Sequence, residues 1–120
     1  MFIMYEQWRN IEEATNYAVS NLGNIKNTKS GQVLGPGVSG NGYKQVSLKM
    51  KASNKFEKRY VHRLVATYWI PNPENKREVN HKNLDRTDNR VENLEWITSS
   101  ENQKHKYETR NYKTSNRKVA

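Results

Sequence analysis

One histidine and two asparagines of this chain have the types and spacing that would suit metal-assisted hydrolysis. His81 follows a short apolar step at Val79, Asn93 comes twelve residues later, and Asn102 comes nine residues after that. A histidine with a pKa near its usual value of about 6.5 can accept a proton at neutral pH. An asparagine can offer its carbonyl oxygen to a hard divalent ion. The ordinary alternatives are a solvated loop histidine and, for Asn102, a residue that simply opens a helix.

A central helix is expected just before this group. Apolar residues recur at helical spacing from Val61 to Ile70, and Pro71 ends the run. His62 lies at the start of this helix, on the side expected to be polar. The following residues, 71–90, are almost entirely polar and are expected to form a loop that contains His81.

Strands are expected on both sides of the helix. Tyr43 to Met50 alternates cleanly, so that its apolar residues share one face. The segment 35–42 is rich in glycine and is expected to be a flexible loop. Ser99 is the expected N-cap of a second helix, which carries Asn102. Shorter runs typical of strands lie at 17–20, 25–27, 56–60 and 94–98. Together these elements indicate an α+β fold.

Composition limits what the chain can be. It has 120 residues, of which only 33% are apolar, so a large core is excluded. The absence of cysteine excludes disulfides, thiol catalysis and a zinc site built on cysteine. No apolar run is long enough for a membrane span, and the first residues do not resemble a signal peptide. A cytoplasmic location is therefore expected.

The charge of the chain indicates a polyanionic partner. The 21 Lys and Arg residues outnumber the 12 Asp and Glu residues, which gives a formal charge of +9. Residues 1–60 carry a net charge of +5 and residues 101–120 carry +4, while residues 61–100 are neutral. Basic flanks suit phosphate contacts, and a mixed centre suits an acid–base or metal site. Ordinary surface charge that keeps the chain soluble is the simpler alternative.

A longer pattern surrounds the histidine. The segments Val79–Asn83 and Thr87–Trp96 resemble the ββα-metal motif of the HNH nuclease family. They are most similar to the phage and intron-encoded homing endonucleases, in which Asn replaces the final His. The segments Trp8–Ile11 and Tyr17–Ile25 resemble the nuclease-associated N-terminal module (NUMOD type) of the same proteins. The resemblance covers roughly residues 5–107.

The resemblance implies an architecture and a reaction. Residues 1–55 would form a small antiparallel β module that binds DNA, 56–110 the ββα-metal nuclease core, and 111–120 a basic tail. The activity would be hydrolysis of DNA phosphodiester bonds with one divalent ion, Mg²⁺ or else Mn²⁺, and without zinc. The implied roles fall on four residues: His81 as the general base, Asn93 as the residue that orients it, and Asn80 and Asn102 as metal ligands.

Two positions depart from the pattern of the family. A glycine commonly follows the position of Asn83, where this chain has Leu84. Asn80 stands where some relatives have Asp, and a neutral carboxamide is a weaker ligand for Mg²⁺ than a carboxylate. Metal binding is therefore expected to be weak until DNA phosphate supplies negative charge. The alternative function is a DNA-binding module without activity on the same scaffold.

The expected partner is double-stranded DNA, with no membrane. No long apolar stripe is left for a dimer interface, so we expect a monomer that nicks DNA, although a dimer could form on DNA. A phage protein acting in a bacterial host fits the resemblance. The residues expected to contact DNA are Lys26, Lys29, Lys44, Lys49, Arg59, His62, Arg63 and His105.

Overall fold

The computed structural model describes residues 5–101, which form antiparallel sheets around one helix. The first sheet has the order β1-β2-β3. Its strands are β1 (Trp8–Asn10), β2 (Tyr17–Ser20) and β3 (Ile25–Asn27). The predictions for β2 and β3 are confirmed, and β1 was not expected. Every residue of β2 is buried, because this middle strand is covered by neighbours on both edges and by the helix.

The second sheet has the order β4-β5-β6. Its strands are β4 (Gly37–Val38), β5 (Lys44–Lys49) and β6 (Phe56–Tyr60). The alternation predicted for β5 is confirmed, since Val46 and Leu48 are buried while Ser47 is exposed. The prediction of a flexible loop at 35–42 was wrong at β4, because Gly37 and Val38 pair with the edge of β5. Alternation cannot reveal so short a strand.

Helix α1 (Val61–Trp69) begins directly after β6 and buries one side against the sheets. It ends one residue earlier than predicted, because Ile70 is extended before Pro71. The expectation that His62 lies on the polar side was wrong. His62 is only 7% exposed, because aromatic side chains from the second sheet cover it.

The third sheet pairs β7 (Glu78–His81) with β8 (Leu94–Ile97), and a 3₁₀ turn at Val91–Asn93 leads into β8. The prediction of a continuous loop over 71–90 was wrong at β7, which puts His81 at the end of a strand. Asn80 lies opposite Glu95 in this hairpin, and His81 lies opposite Leu94. Residues 99–101 are helical, as predicted, but Ser99 is not the N-cap, because the backbone N–H of Glu101 donates a 3.1 Å hydrogen bond to Oγ1 of Thr98. Asn102, His105 and the predicted tail lie outside the described residues.

One apolar cluster joins the helix to all three sheets. Its members include Val19, Leu48, Val65, Val79 and Leu94. This arrangement of antiparallel strands and one helix confirms the predicted α+β class. The predicted boundary between residues 55 and 56 lies in the connection of the paired strands β5 and β6, and it stays a prediction. No helix within residues 5–101 is long and apolar enough to cross a membrane.

Candidate active site

His81 is held in one orientation at the end of β7. Its side chain is 4% exposed, and its Nε2 lies 2.7 Å from Oδ1 of Asn89. An amide oxygen can only accept a hydrogen bond, so this contact needs Nε2–H as the donor and leaves Nδ1 available for another partner. A fixed tautomer with one basic nitrogen is the arrangement that a general base needs. Asn89 itself is buried, and sequence reasoning assigned it no role.

His81 belongs to a group of four rings that we call the aromatic cluster: Tyr43, Tyr60, His62 and His81. The His62 ring lies 5.0 Å from the His81 ring and stacks on Tyr43 at 4.8 Å between centroids. Burial, together with the smaller effects of the nearby His81 and Arg63, lowers the pKa of His62 to about 3. His62 is therefore neutral at pH 7 and makes little of its surface available to phosphate. Its expected contact with DNA stays a prediction.

A cation lies beside the aromatic cluster. The guanidinium of Arg86 lies 5.0 Å from the centroid of Tyr43, and its Nη1 donates a 2.6 Å hydrogen bond to the carbonyl of Asn41. Arg86 is exposed in the loop after β7, and the Tyr43 ring beside it lies 5.7 Å from the His81 ring between centroids. Its position in the middle of a polar loop carried no recognisable signal in the sequence.

Asn93 ties the loop between β7 and β8 together. Its Oδ1 accepts a hydrogen bond from the backbone N–H of Asn83, and its Nδ2 donates to Oδ1 of Asn83 and to the carbonyl of Asp88. Its own carbonyl accepts a bond from the backbone N–H of Lys82. These four contacts hold the segment that follows His81. That Asn93 orients His81 for chemistry stays a prediction.

Asp88 is committed to the same loop. It accepts hydrogen bonds from Nε and Nη2 of Arg90, both at 2.8 Å, and from Nδ2 of Asn83 at 2.9 Å. The contact with Arg90 lowers the pKa of Asp88 to about 2. The neighbouring Leu84 has a φ of 67°, a conformation that favours glycine. The backbone at this position is therefore one that glycine would adopt with less strain than leucine.

Asn80 faces a carboxylate. Its Nδ2 donates a 2.9 Å hydrogen bond to Oε1 of Glu95 on the adjacent strand. Asn80 and His81 are consecutive residues at the end of β7. One amide and one carboxylate are hard oxygen donors of the kind that Mg²⁺ prefers, so the pair fits a metal role. Within residues 5–101 no group of three or more His, Cys, Asp or Glu side chains could hold a metal by itself.

The basic residues divide between two faces of the second sheet. We define the outer face as the side of β5 and β6 opposite the buried residues Val46 and Leu48. Cross-strand pairing places Lys49 beside Phe56 and Ser47 beside Lys58 on this face. Its members are Gln45, Ser47, Lys49, Phe56, Lys58 and Tyr60. Lys58 is exposed and Phe56 is 68% exposed, yet neither was singled out from the sequence.

The other cations that were expected to meet DNA are distributed differently. Arg59 lies on the opposite face from Lys58, within 3.9 Å of Glu13 and 3.7 Å of Glu57. Arg63 donates to the carbonyl of Arg77. The remaining expected contacts are Lys26, which lies over the Trp8 ring, the exposed Lys29, and Lys44 at the start of β5. All of these expected DNA contacts stay predictions.

Comparison with protein families divides the chain into two matched segments. Residues 59–104 match the family described as HNH endonuclease, and residues 6–49 match the NUMOD4 motif. Together these segments include β1 through β5, the last two residues of β6, β7, β8, the aromatic cluster and the loop held by Asn93.

Relatives and a solved structure agree with these matches. The chain is 47% identical over 104 residues to an uncharacterized HNH endonuclease, L247, of Acanthamoeba polyphaga mimivirus, which covers 83% of this chain and 26% of that protein. It is 32% identical over 97 residues to the DNA endonuclease I-HmuI of Bacillus phage SP01, covering 80% of this chain and 55% of the relative. A structure titled "DNA binding and cleavage by the HNH homing endonuclease I-HmuI" superposes with a TM-score of 0.75 at 30% identity, covering 86% of this chain and 59% of that one. The chain thus spans about a quarter to a half of the length of these relatives.

Proposed function

The chain belongs to the HNH endonuclease family, and we propose that it hydrolyses phosphodiester bonds of double-stranded DNA with one divalent ion. The observation that carries the proposal is the fixed imidazole of His81, whose Nε2 is bound by Asn89 while Nδ1 remains basic. A buried histidine in a single tautomer, beside an exposed arginine and a basic sheet face, suits attack of water on a phosphate.

In this proposal His81 accepts a proton from the attacking water at Nδ1. Asn89 holds the ring in the required tautomer, and Asn93 keeps the loop after His81 in place through its contacts with Asn83 and Asp88. Arg86 would neutralise the charge of a non-bridging oxygen of the phosphate. Its guanidinium lies beside the ring of Tyr43, which stacks on His62. A general base of this kind contributes about 10²–10⁴-fold to the rate.

Asn80 and Glu95, together with Asn102, would hold the divalent ion. Held by these residues, a divalent ion would supply Lewis-acid stabilisation of negative charge on the phosphate and on the leaving 3′ oxygen. From the neutral Asn80, metal binding was expected to be weak until DNA phosphate supplies negative charge. The carboxylate of Glu95 changes this expectation. The negative charge at this position need not come from DNA alone, because Glu95 already lies against Asn80. Asn80→Asp would add a second negative charge beside that of Glu95 and is expected to tighten metal binding.

The outer face is the proposed surface for the DNA backbone. Lys49 and Lys58 share this face with Tyr60, and Tyr60 contacts both Tyr43 and His62 of the aromatic cluster. A duplex that follows the lysines would therefore be led towards His81. This order of residues supports a continuous path from charge contact to chemistry.

With a single His81 in each chain, we propose that the monomer cuts one strand at a time. The two scissile phosphates of a duplex are separated in space, so one site must release the first before it reaches the second. Nicked circles would then accumulate before linear DNA. Relatives from a bacteriophage and a giant virus support a viral origin, with phage DNA in a bacterial cytoplasm as the expected setting.

The experiment is cleavage of supercoiled plasmid DNA by the 120-residue chain with Mg²⁺, with Mn²⁺, and with EDTA. The proposal expects open circles with either metal and none with EDTA, while binding to a labelled duplex persists in EDTA. Binding without cleavage under every metal condition would favour the inactive DNA-binding module instead. Linear product at the earliest times, without open circles, would contradict the monomeric nicking reaction.

A further inference from the structure

The support of Asn89, the residue that binds His81, comes partly from the N-terminal segment. Asn89 is buried, with 4% of its surface exposed, and its side-chain oxygen is the hydrogen-bond partner of His81. Its Nδ2 has no hydrogen-bond partner among the described residues. The amide is therefore not anchored by its own nitrogen, and its position depends on what holds its backbone.

The turn between β2 and β3 presses against that backbone. A Cβ on Gly23 would lie 2.8 Å from the carbonyl oxygen of Asn89 and 2.9 Å from its Cβ. Real Cβ atoms do not approach other atoms so closely, so only glycine permits this contact. Two residues on, the backbone N–H of Val91 donates a 3.0 Å hydrogen bond to the carbonyl of Asn21 in the same turn. The turn therefore meets the Asn89 segment at two points.

The turn is itself stiff. Ser20 is fully buried, and its hydroxyl accepts hydrogen bonds from the backbone N–H groups of Leu22 and Asn24. The backbone of Ser20 also donates to the carbonyl of Asn24. Asn21 is fixed from the other side, because its Oδ1 accepts a bond from the N–H of Gln7. A turn held by these hydrogen bonds can fix the position of the loop that contacts it.

We infer that the β2–β3 turn is a positioning element of the catalytic site, which sets the contact between Asn89 and His81 through Gly23 and Asn21. The inference rests on the proposed function in so far as His81 is the general base. It assigns to the segment that matches the NUMOD4 motif a role in the chemical step besides binding DNA. Displacement of Asn89 by about 1 Å would release Nε2 of His81, and misplacement of that size can cost about 10²-fold in rate.

A matched pair of glycine substitutions tests this inference. Gly23→Asn places a Cβ against Asn89, and Asn is the side chain that best tolerates the φ of +87° at this position. Gly31→Asn is the control, because Gly31 has a similar φ of +78° and no atom within 4 Å of the added Cβ. Both variants carry the same backbone strain, and only the first one disturbs the loop of Asn89.

A second variant weakens the contact from the other side. Val91→Pro removes the N–H that bonds to Asn21, at the first position of a 3₁₀ turn and after an extended Arg90, where proline fits. If Gly23→Asn fails to fold, this variant still separates the turn from the loop. It changes neither Asn89 nor His81.

Two measurements are made on each variant. The first is the maximal rate of plasmid nicking at saturating DNA with Mg²⁺, together with the affinity for a labelled duplex. The second is the pair of ¹⁵N chemical shifts of the His81 ring, which report directly which nitrogen carries the proton. We expect Gly23→Asn and Val91→Pro to lower the maximal rate about 10–10²-fold at nearly unchanged affinity. We also expect their His81 shifts to move towards those of mixed tautomers.

Each result has a definite meaning. Wild-type rates and His81 shifts in Gly23→Asn or Val91→Pro would overturn the inference, as would an equal loss in Gly31→Asn. A wild-type chain that cuts no DNA with any divalent ion would refute the proposed function. The chemical shifts would still decide whether the turn sets the tautomer of His81, so the two failures are distinguishable.

Discussion

The loop between β7 and β8 and the outer face of β5 and β6 carry the two halves of the proposed reaction, and they are built in opposite ways. In the loop, Asn83, Asp88 and Asn93 are joined to one another by direct hydrogen bonds. On the outer face, Lys49 and Lys58 form no ion pair with a described residue. A network fixes the positions of atoms, whereas free lysines adapt to a backbone of varying shape. Catalysis needs atoms in fixed positions, whereas contact with the phosphate backbone needs side chains that can adapt to its shape.

The largest effect expected from this contrast is that of His81→Ala. Cleavage should fall about 10²–10⁴-fold, because the general base is lost. The affinity for duplex DNA should stay nearly the same, since the binding charges lie elsewhere. Nicking of supercoiled plasmid and titration of a labelled duplex measure the two quantities. If this variant cleaved DNA at the wild-type rate, His81 would not be the general base. The assignment of chemistry to the loop and of DNA contact to the outer face would then be wrong.

Asn93→Ala should be the most damaging change within the loop network. It deletes three side-chain hydrogen bonds and leaves the carbonyl of Asp88 without that donor, which typically costs about 1–3 kcal/mol of the free energy of unfolding. Urea denaturation measures this loss, and nicking by the folded fraction measures the effect on the rate. Asn72→Ala is the matched control, because Asn72 makes two hydrogen bonds confined to its own turn with Lys76. An equal loss of rate in the control would contradict a special role of Asn93.

The sequence predicted those parts of the fold that depend on local pattern. Strand β5 and helix α1 have strong alternation or helical spacing, and both lie within one or two residues of their expected bounds. Strand β7 was missed because Val79 is its one clearly apolar residue. What stabilises β7 is pairing with β8, more than ten residues away along the chain. Non-local pairing leaves little trace in the residues of a single strand.

The residues of the candidate site were likewise predictable only where a local motif marks them. His81 and Asn93 stand at positions that the motif marks, and the contacts of Asn93 agree with a residue that organises the loop. Asn89 was not predictable as the partner of His81, because their contact depends on how the loop folds back. His62 was expected at the surface, but Tyr43, which directly precedes β5, covers it. Burial created by distant residues cannot be deduced from helical periodicity.

The third prediction concerns His62, which lies between the two regions. Its pKa in the folded chain is about 3, below the ordinary value of 6.5, so the unfolded chain binds a proton first as pH falls. Stability is therefore complete above pH 6.5 and decreases below it, by up to about 1.4 kcal/mol per pH unit, until the folded pKa is reached. Denaturation of wild type and of His62→Phe between pH 7 and pH 4 isolates this contribution. Parallel pH curves for the two proteins would show that His62 does not titrate in this way.

The fourth prediction compares two adjacent cations on opposite faces of β6. Lys58→Gln should reduce the slope of log affinity against log salt by about 0.9, the value for one phosphate contact. Arg59→Gln should change it less, because Arg59 lies near two glutamates on the other face. Duplex titrations at several salt concentrations measure both slopes. A larger decrease of the slope in Arg59→Gln than in Lys58→Gln would indicate that DNA contacts the face of Arg59 instead of the outer face.

The smallest expected effect is that of Leu84→Gly in the loop network. A non-glycine residue at a φ of 67° carries about 1–2 kcal/mol of strain, which glycine relieves, while the greater flexibility of the unfolded chain with glycine costs about 0.4–1 kcal/mol. The net gain in unfolding free energy should be about 0.5–1 kcal/mol, with little change in nicking. Lys82→Gly is the control, since Lys82 is not among the residues of positive φ and should lose stability instead. Destabilisation by Leu84→Gly would show that its side chain matters more than its backbone.

The pairing of β5 with β6 has a consequence for how such proteins can be recombined. The two strands form one hairpin, yet β5 lies at the end of the first matched segment, 6–49, and the last two residues of β6 open the second, 59–104. A chimera that exchanges the first segment would also replace the strand that covers β6, together with the apolar side chains that β5 packs on α1. A donor gene must therefore supply a strand of matching register and inner volume. Sequence similarity suggests a crossover between residues 49 and 59. A crossover there separates two paired strands, so the segments on either side cannot be exchanged independently.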